Sequence, residues 1–597
     1  MVILSPEQLP AVTRAGKFVV IACPGSGKTL TVSTRFMRRM KDWKRQSSGI
    51  ATLSFTNVAH SEISGDLIND GFSPSPPFPH FLGTIDHFIN TFIFLPFGHL
   101  VMGCSGRPNL IGMGSNVWNQ KELNLYWGNQ KCYSCKLENF SYDINGRLIG
   151  GLVNCPFDFT HCRILKNRFN RMGLATQSDA EYFTMRILER YPGIAKSLST
   201  RFPEMIIDEA QDTSEIQMRI IDLLVMNGLS EVMLVGDPDQ AIYEWRDARP
   251  DIFMRKTSQL EWQEPYYLDQ NRRSSQLICN LTKNFSSSLR NISQAIGTDA
   301  NFSLPPKLVT YDPNHLSTIK NDFINLCERQ GLEIKPSEIS VLVRTNRQLL
   351  KLRDIIDMGD PWNHAITRLL AQVAYYRDKG DIIRSHNSSE AALVRILFGD
   401  RYISKFDLEN QIEARNLNPG WPLGIWQIMK LLPNSGDALR LWLINGTRKL
   451  HEWFDAHPSW REVDRGKLDL SIKQYQVMNR HKFTAYYDEP VSKLFSDPES
   501  VVDGITIETI HAAKGKTYEA VLYIVNDSTR GGAKGNITQI TTNDLNNEEV
   551  RTAYVAMTRP RKILVIGVPI GTQENLLRNR FPDWMIDQLN IPLQDFG

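Results

Sequence analysis

The chain has 597 residues, with 68 Lys and Arg against 65 Asp and Glu, giving a formal net charge of +3. That near balance excludes a uniformly basic nucleic-acid binder, so any such site must be a local groove. A composition of 42% hydrophobic and 22% charged residues excludes disorder throughout, and eight cysteines are too few for a disulfide scaffold.

The first residues, Met1 to Pro6, lack a basic region followed by an apolar core, so no secretory signal is expected. Nor does any stretch approach the roughly 18 uninterrupted apolar residues of a membrane span. The expected location is the cytoplasm. Phe18 to Ile21 is an apolar run that passes into Ala22-Cys23-Pro24-Gly25-Ser26-Gly27-Lys28-Thr29, and a helical pattern follows from Thr29 to about Met40. Similar runs recur at 205–207, 232–235, 339–343, 521–525 and 563–566, each ending in a polar loop. They predict buried parallel strands alternating with helices. Residues 72–80 are too rich in proline for helix or ladder.

Asn145-Gly146 predicts a hairpin inside a Gly, Asn, Trp and Cys-rich stretch from 101 to 162. Cys132, Cys135, Cys155 and Cys162 in that stretch suit either a tetrahedral zinc site or ordinary cysteines. Arg163, Lys166, Arg168 and Arg171 form either a phosphate-contacting face or a solvated helix face. Residues 350–495 read as mostly helical, and 526–547 as a polar surface loop.

Strand, glycine loop and helix in that order make a phosphate cradle. Gly25 and Gly27 let the backbone approach, Lys28 reaches the β and γ phosphates, and the Thr29 hydroxyl suits magnesium. Asp208-Glu209 at a strand end divides the remaining work, one carboxylate for Mg²⁺ and one to orient or deprotonate water. Gln240 follows the next strand, where a γ-phosphate sensor would sit, with Tyr243, Trp245 and Arg246 close behind. A base stacked on an exposed Trp gains about 1–3 kcal/mol, comparable with the ~1.4 kcal/mol for opening one base-pair step. By composition alone, Trp245 reads better as core.

Taken in order, these segments resemble the superfamily 1 helicases of the UvrD, Rep and PcrA type. Pro6-Glu7-Gln8 is similar to the adenine-reading motif, and Leu53 to Asn57 with Gly83-Thr84 to the strand-contacting motifs. Asp269 to Ser274, Val343 to Asn346, Thr509 to Gly515 and Glu549 to Arg559 are similar to the later motifs. The resemblance implies an α/β fold of two RecA-like P-loop motor domains with parallel sheets and two inserted, largely helical subdomains. Motor 1A would span 1–89 and 181–265, insertion 1B 90–180, motor 2A 266–349 and 496–597, and helical insertion 2B 350–495.

It implies ATP with Mg²⁺ as cofactors, held by Gln8, Ala22, Pro24, Gly25, Ser26, Gly27, Lys28, Thr29, Arg272 and Gly515, with Thr29 and Asp208 toward the metal. Lys28, Thr29, Asp208, Glu209, Gln240, Arg273 and Arg559 would perform hydrolysis. Phe55, Thr56, Asn57, Thr84, Tyr243, Trp245, Arg246, Asn346 and His511 would contact DNA. The implied activity is 3′ to 5′ translocation on single-stranded DNA with duplex unwinding.

Three positions depart from the family pattern. Arg272 stands where an adenine-stacking Tyr is usual, Thr517 where a carboxylate is usual, and Asp86 where His is usual. These departures resemble the compact helicases encoded beside OLD-type nucleases, such as those of Gabija anti-phage systems, and imply a partner nuclease. A regulatory ATPase that switches such a nuclease without processive unwinding is the alternative.

Overall fold

The computed structural model describes residues 4–55, 57–69, 76–110, 125–127, 130–132, 140–150, 159–243, 248–287, 294–353, 362–399, 405–417, 420–460, 463–472, 475–476, 482–483, 486–495, 501–527, 534–589 and 591–595. Two six-stranded sheets organise it. The first contains β1 (Lys17–Ala22), β2 (Ile50–Ser54), β3 (Phe81–Thr84), β4 (Glu204–Ile207), β5 (Glu231–Gly236) and β6 (Tyr266–Leu268), in the order β6-β1-β5-β4-β2-β3 and parallel throughout. The second contains β7 (Lys307–Tyr311), β8 (Ile339–Val343), β9 (Val501–Val502), β10 (Ile505–Thr509), β11 (Tyr518–Ile524) and β12 (Pro560–Pro569). Its order is β7-β12-β11-β8-β10-β9, parallel except for the β9–β10 edge.

The strands are continuous apolar runs because both faces are covered. In β1, Val19 and Ile21 pack into one core, while Phe18 and Val20 pack into another on the opposite face. β11 alternates in the same way, with Val521 and Tyr523 on one side and Leu522 and Ile524 on the other. Each such side chain is worth about 1.5–3 kcal/mol when removed from water. Parallel strands end together, so the loops after β1, β4 and β5 meet at one edge, where the chemistry lies.

Two helices matter most below. α1 (Lys28–Asp42) starts at the phosphate loop, and α2 (Asn57–Asn69) starts just past β2. Between 365 and 456, helices Ala365–Asp378, Ile382–Phe398, Lys405–Ala414, Gly420–Leu431 and Leu439–Ala456 build a separate core. Trp421 and Trp460 stack in it with ring centroids 5.6 Å apart. Gly424 is required there, since a Cβ would sit 2.6 Å from the Trp460 ring.

Several expectations change on contact with the structure. The first motor does not end at 265, because β6 pairs with β1 and completes the first sheet. A three-residue strand is too short for sequence periodicity to assign. Insertion 1B is mixed: Phe140–Tyr142 and Leu148–Gly150 form the expected hairpin, followed by the helix Phe159–Arg171. Lys166 is not on a phosphate-contacting face. It is fully buried, ion-paired to Asp179 at 2.9 Å, and donates to the Phe140 carbonyl. Arg163, Arg168 and Arg171 are exposed. The 526–547 stretch is not all surface loop, since Ile537–Ile540 forms a helical turn that buries Ile537 and Ile540. The side chains of Cys132, Cys135, Cys155 and Cys162 lie outside the described residues. No helix among the described residues is long and apolar enough to cross a membrane.

Candidate nucleotide cleft and DNA strip

The turn after β1 is left-handed at Gly25 (φ 70°) and Gly27 (φ 81°), which side chains resist. Gly25 has a second reason to be glycine: a Cβ would lie 2.6 Å from the Arg273 Cβ. The second motor therefore packs directly on the loop. Arg272 N–H donates to the Gly25 carbonyl at 2.8 Å. Arg272 Nη1 and Gln8 Nε2 both donate to the Ser26 carbonyl, at 3.2 and 3.1 Å. Gln8 and Arg272 thus hold the loop from behind. Ala22 and Pro24 are buried beneath it.

In front of the loop is a cleft of about 250 Å³ lined by Gly25 to Leu30, Glu62, Glu209, Gln240, Arg273, Lys514, Gly515, Thr517 and Arg559. Residues from both motors thus surround one small volume. Asp208 is fully buried behind it, accepting from the Thr29 hydroxyl at 3.2 Å. Burial and then the Glu209 charge push its carboxyl up to about 7. Burial also works against the Glu209 carboxylate, but Lys28 and Lys514 outweigh it and hold this group at about 2. The two neighbouring carboxyl groups therefore sit in unlike electrostatic environments, with Glu209 held ionised by the lysines.

Glu209 has φ 54° and ψ 40°, left-handed for a non-glycine residue. Such strain costs of order 1–3 kcal/mol and persists where surrounding contacts enforce it. Asp208 Oδ1 accepts from Glu209 N–H at 2.9 Å, and Gln211 Nε2 donates to Glu209 Oε2 at 2.5 Å.

Arg559 is buried among neutral acceptors: Gln240 Oε1 (2.9 Å), Val555 O (3.0 Å) and Lys516 O (3.4 Å). Arg273 donates to Thr558 O at 3.0 Å. Burial lowers the pKa of both guanidinium groups, and for Arg273 the Arg559 charge adds to this. A buried cation, Arg559, and a half-buried one, Arg273, beside a phosphate loop fit a polyanion. Thr29 and Asp208 supply the hard oxygen donors that magnesium takes, and a buried carboxylate driven toward neutrality is the group a dication would restore.

The segment from Gln240 to Tyr243 links this cleft to a strip of rings. The second motor grips it residue by residue. Arg559 holds the Gln240 side chain, Lys514 Nζ its carbonyl (2.7 Å), Arg551 Nε the Ala241 carbonyl (2.7 Å), and His511 Nε2 lies 3.1 Å from the Ile242 carbonyl. Lys514 also pairs with buried Asp212 at 2.5 Å. Tyr243 then packs against Phe55 (5.4 Å), edge-on to His511 (5.8 Å), beneath the Lys514 ammonium (4.7 Å).

Phe55, Tyr243 and His511 are therefore brought together as a strip. Asn346 is exposed at the start of the helix Asn346–Leu352, and Thr84 caps the helix Ile85–Ile89 by accepting from His87 N–H at 3.1 Å. Asn57 heads α2, but its side chain, like all of Thr56, Trp245 and Arg246, lies outside the described residues. Sequence reasoning overlooked Glu62, Gln211, Asp212 and Arg551 and gave Lys514 no role. Lys514 and Asp212 stand inside recognisable motifs, but their pairing is set by motor docking. Glu62 carries no sequence signal.

A larger cavity of about 1030 Å³ lies by the 141–149 hairpin, Ser214 and Arg249. Asp143, Glu181, Glu215 and Asp251 make it unsuitable for a triphosphate.

Comparison with known proteins agrees with this geometry. The UvrD/REP helicase N-terminal domain matches residues 4–92 and 159–261, and the UvrD-like helicase C-terminal domain matches 491–569. A probable DNA helicase II homolog of Mycoplasma capricolum is 21% identical, covering 100% of this chain and 88% of that protein. Its Mycoplasma genitalium counterpart is 22% identical over 94% of this chain and 84% of that protein. An ATP-dependent helicase/nuclease protein of Streptococcus pneumoniae is 44% identical over 79 residues, 13% of this chain and 6% of that protein.

Proposed function

We propose that this chain, an ATP-dependent DNA helicase of the UvrD-like superfamily 1 type, moves 3′ to 5′ along single-stranded DNA and works with a partner nuclease. The observation that carries the reading is the continuity of Gln240 to Tyr243: its first residue lines the cleft in front of the glycine loop and its last lies in the ring strip. Lys28, Gly25 and Gly27 bind the triphosphate; Thr29 and Asp208 would hold magnesium, which would neutralise phosphate charge. Glu209 takes the proton of the attacking water. Arg273 and Arg559 stabilise the transferring group, a role worth about 10³–10⁵ in rate.

An anion beside Arg559 competes with Gln240 for its guanidinium, and the Gln240 backbone passes the shift to Tyr243. The partner nuclease is suggested by the short stretch shared with the helicase/nuclease protein. A phage-defence setting beside an OLD-type nuclease is the corresponding biological reading.

Strand displacement from duplexes with a 3′ or a 5′ single-stranded tail tests this. Displacement from the 3′-tailed duplex alone is the expected result; displacement from the 5′ tail alone would reverse the polarity. Stimulated ATP hydrolysis with no displacement, with or without the nuclease, would replace unwinding by a regulatory ATPase.

A further inference from the structure

Gln8 and Arg272 stand where the resemblance expects adenine to be read, yet both are committed to the protein itself. Gln8 Oε1 accepts from Ser5 N–H at 3.1 Å, and Gln8 Nε2 donates to the Ser26 carbonyl at 3.1 Å. This amide packs so closely on the phosphate loop that a Cβ at Gly27 would lie 2.5 Å from Nε2. A side chain that reads a base must turn a polar edge toward the cleft, and Gln8 is 1% exposed. Arg272 Nη1 donates to the Ser26 and Gln270 carbonyls, both at 3.2 Å, and Nη2 donates to Gln270 Oε1 at 2.7 Å. With both terminal nitrogens directed at protein acceptors, the planar guanidinium has its flat face left for a ligand, and the side chain is 25% exposed. Among the described residues, neither Gln8 nor Arg272 belongs to the cleft lining.

These bonds brace the phosphate loop against the linker between the motors. The chain leaves the first sheet at Leu268. The next two backbone N–H groups, of Asp269 and Gln270, donate to the Glu7 carboxylate at 2.5 and 3.2 Å. Glu7 thus holds the linker, Gln8 the loop, and Arg272 both. A stacked base is held through its π-face, which every base has, so stacking is tolerant of base identity. Bonding to a base edge is the opposite: a site built to hydrogen-bond a substrate NH rejects the analogue lacking it by about 10⁴–10⁵.

We propose that this site accepts nucleoside triphosphates of all four bases, because Gln8 and Arg272 brace the phosphate loop and leave the base to stacking on the Arg272 face. Gln8 is a positioning residue for the loop and not a reader of adenine. The proposal rests on the reading that this cleft hydrolyses a nucleoside triphosphate while the chain is on single-stranded DNA.

The test compares hydrolysis of ATP, GTP, CTP and UTP by the full chain with magnesium and oligo-dT. ATP and GTP have stacking faces of one size, but one carries an amino group where the other carries a carbonyl, so their ratio isolates edge reading. Their kcat/KM values should agree within about tenfold. CTP and UTP, with smaller faces, should turn over with a higher KM. Gln8→Ala should lower kcat for ATP and GTP by the same factor, and Arg272→Ala should raise KM for all four nucleotides. A wild-type preference for ATP over GTP beyond that range, no turnover of CTP and UTP, or a Gln8→Ala loss confined to ATP would overturn the proposal while the helicase reading stands. If no triphosphate is hydrolysed, the helicase reading fails and takes the proposal with it.

Discussion

At the scale of single residues, the cleft separates binding from turnover. On the proposed reading, Lys28 and the glycines hold phosphate whether or not Glu209 is charged. Glu209→Gln is therefore expected to bind ATP near wild-type affinity and lose hydrolysis by at least about 10²-fold; equilibrium binding and steady-state hydrolysis check it. His511 gives a pH prediction. Burial, then Arg344, pushes its imidazole down to about 4 from an ordinary value near 6.5. A depressed histidine is neutral when folded and takes a proton on unfolding, so its contribution to stability is present above the ordinary value and fades as pH falls toward 4. Asp212 and Asp237, both raised by burial to about 6, work in the opposite direction. The diagnostic is thus a difference: between about pH 7 and pH 5, wild type should lose stability faster than His511→Gln by up to about one proton's slope in denaturant titrations. Parallel curves would show that His511 titrates alike in the folded and unfolded chain, against the depressed value.

At the scale of elements, motor docking relies on Lys514 reaching Asp212 across the cleft, both nearly fully buried. Removing one member of a buried pair costs about 3–5 kcal/mol, because the survivor's charge is stranded. Lys514→Met strands a carboxylate and frees the Gln240 carbonyl, whereas Asp212→Asn strands an ammonium that keeps the Gln240 carbonyl and an amide oxygen of the same shape as acceptors. Lys514→Met should therefore lower the thermal midpoint more than Asp212→Asn, and the reverse order would place the main grip elsewhere. The elements legible beforehand were those with a strong period: β1, β4, β5, β8, β11 and β12 are unbroken apolar runs, and the phosphate loop carries its own glycines. β2, β7 and β10 mix Thr, Ser, Lys or Glu into their runs, and β6 has three residues, so pairing partners define them more than sequence does. Lys166 misled because a basic residue at helical spacing looks solvated until Asp179 appears opposite it.

At the scale of the whole molecule, two sheets with largely separate cores meet at a small polar cleft, joined across it by Lys514 and Asp212 and by Ile242, which packs into the second motor's core. Interfaces of that kind open and close readily, and an anion between half-buried Arg273 and buried Arg559 favours closure by offsetting their desolvation. Closure should be visible at a distance from the nucleotide. Hydrogen exchange of the backbone at 240–243 and 511–514 should slow when a non-hydrolysable ATP analogue binds, because these segments face each other through Lys514 and His511. Arg559→Ala leaves the phosphate loop intact and removes the second motor's hold on Gln240. It should retain protection at 23–30 on binding the analogue and lose it at 240–243. Protection of both segments in the variant would mean that the sheets close on the nucleotide through the loop and Arg273 alone, and that the Gln240 contact follows closure instead of driving it.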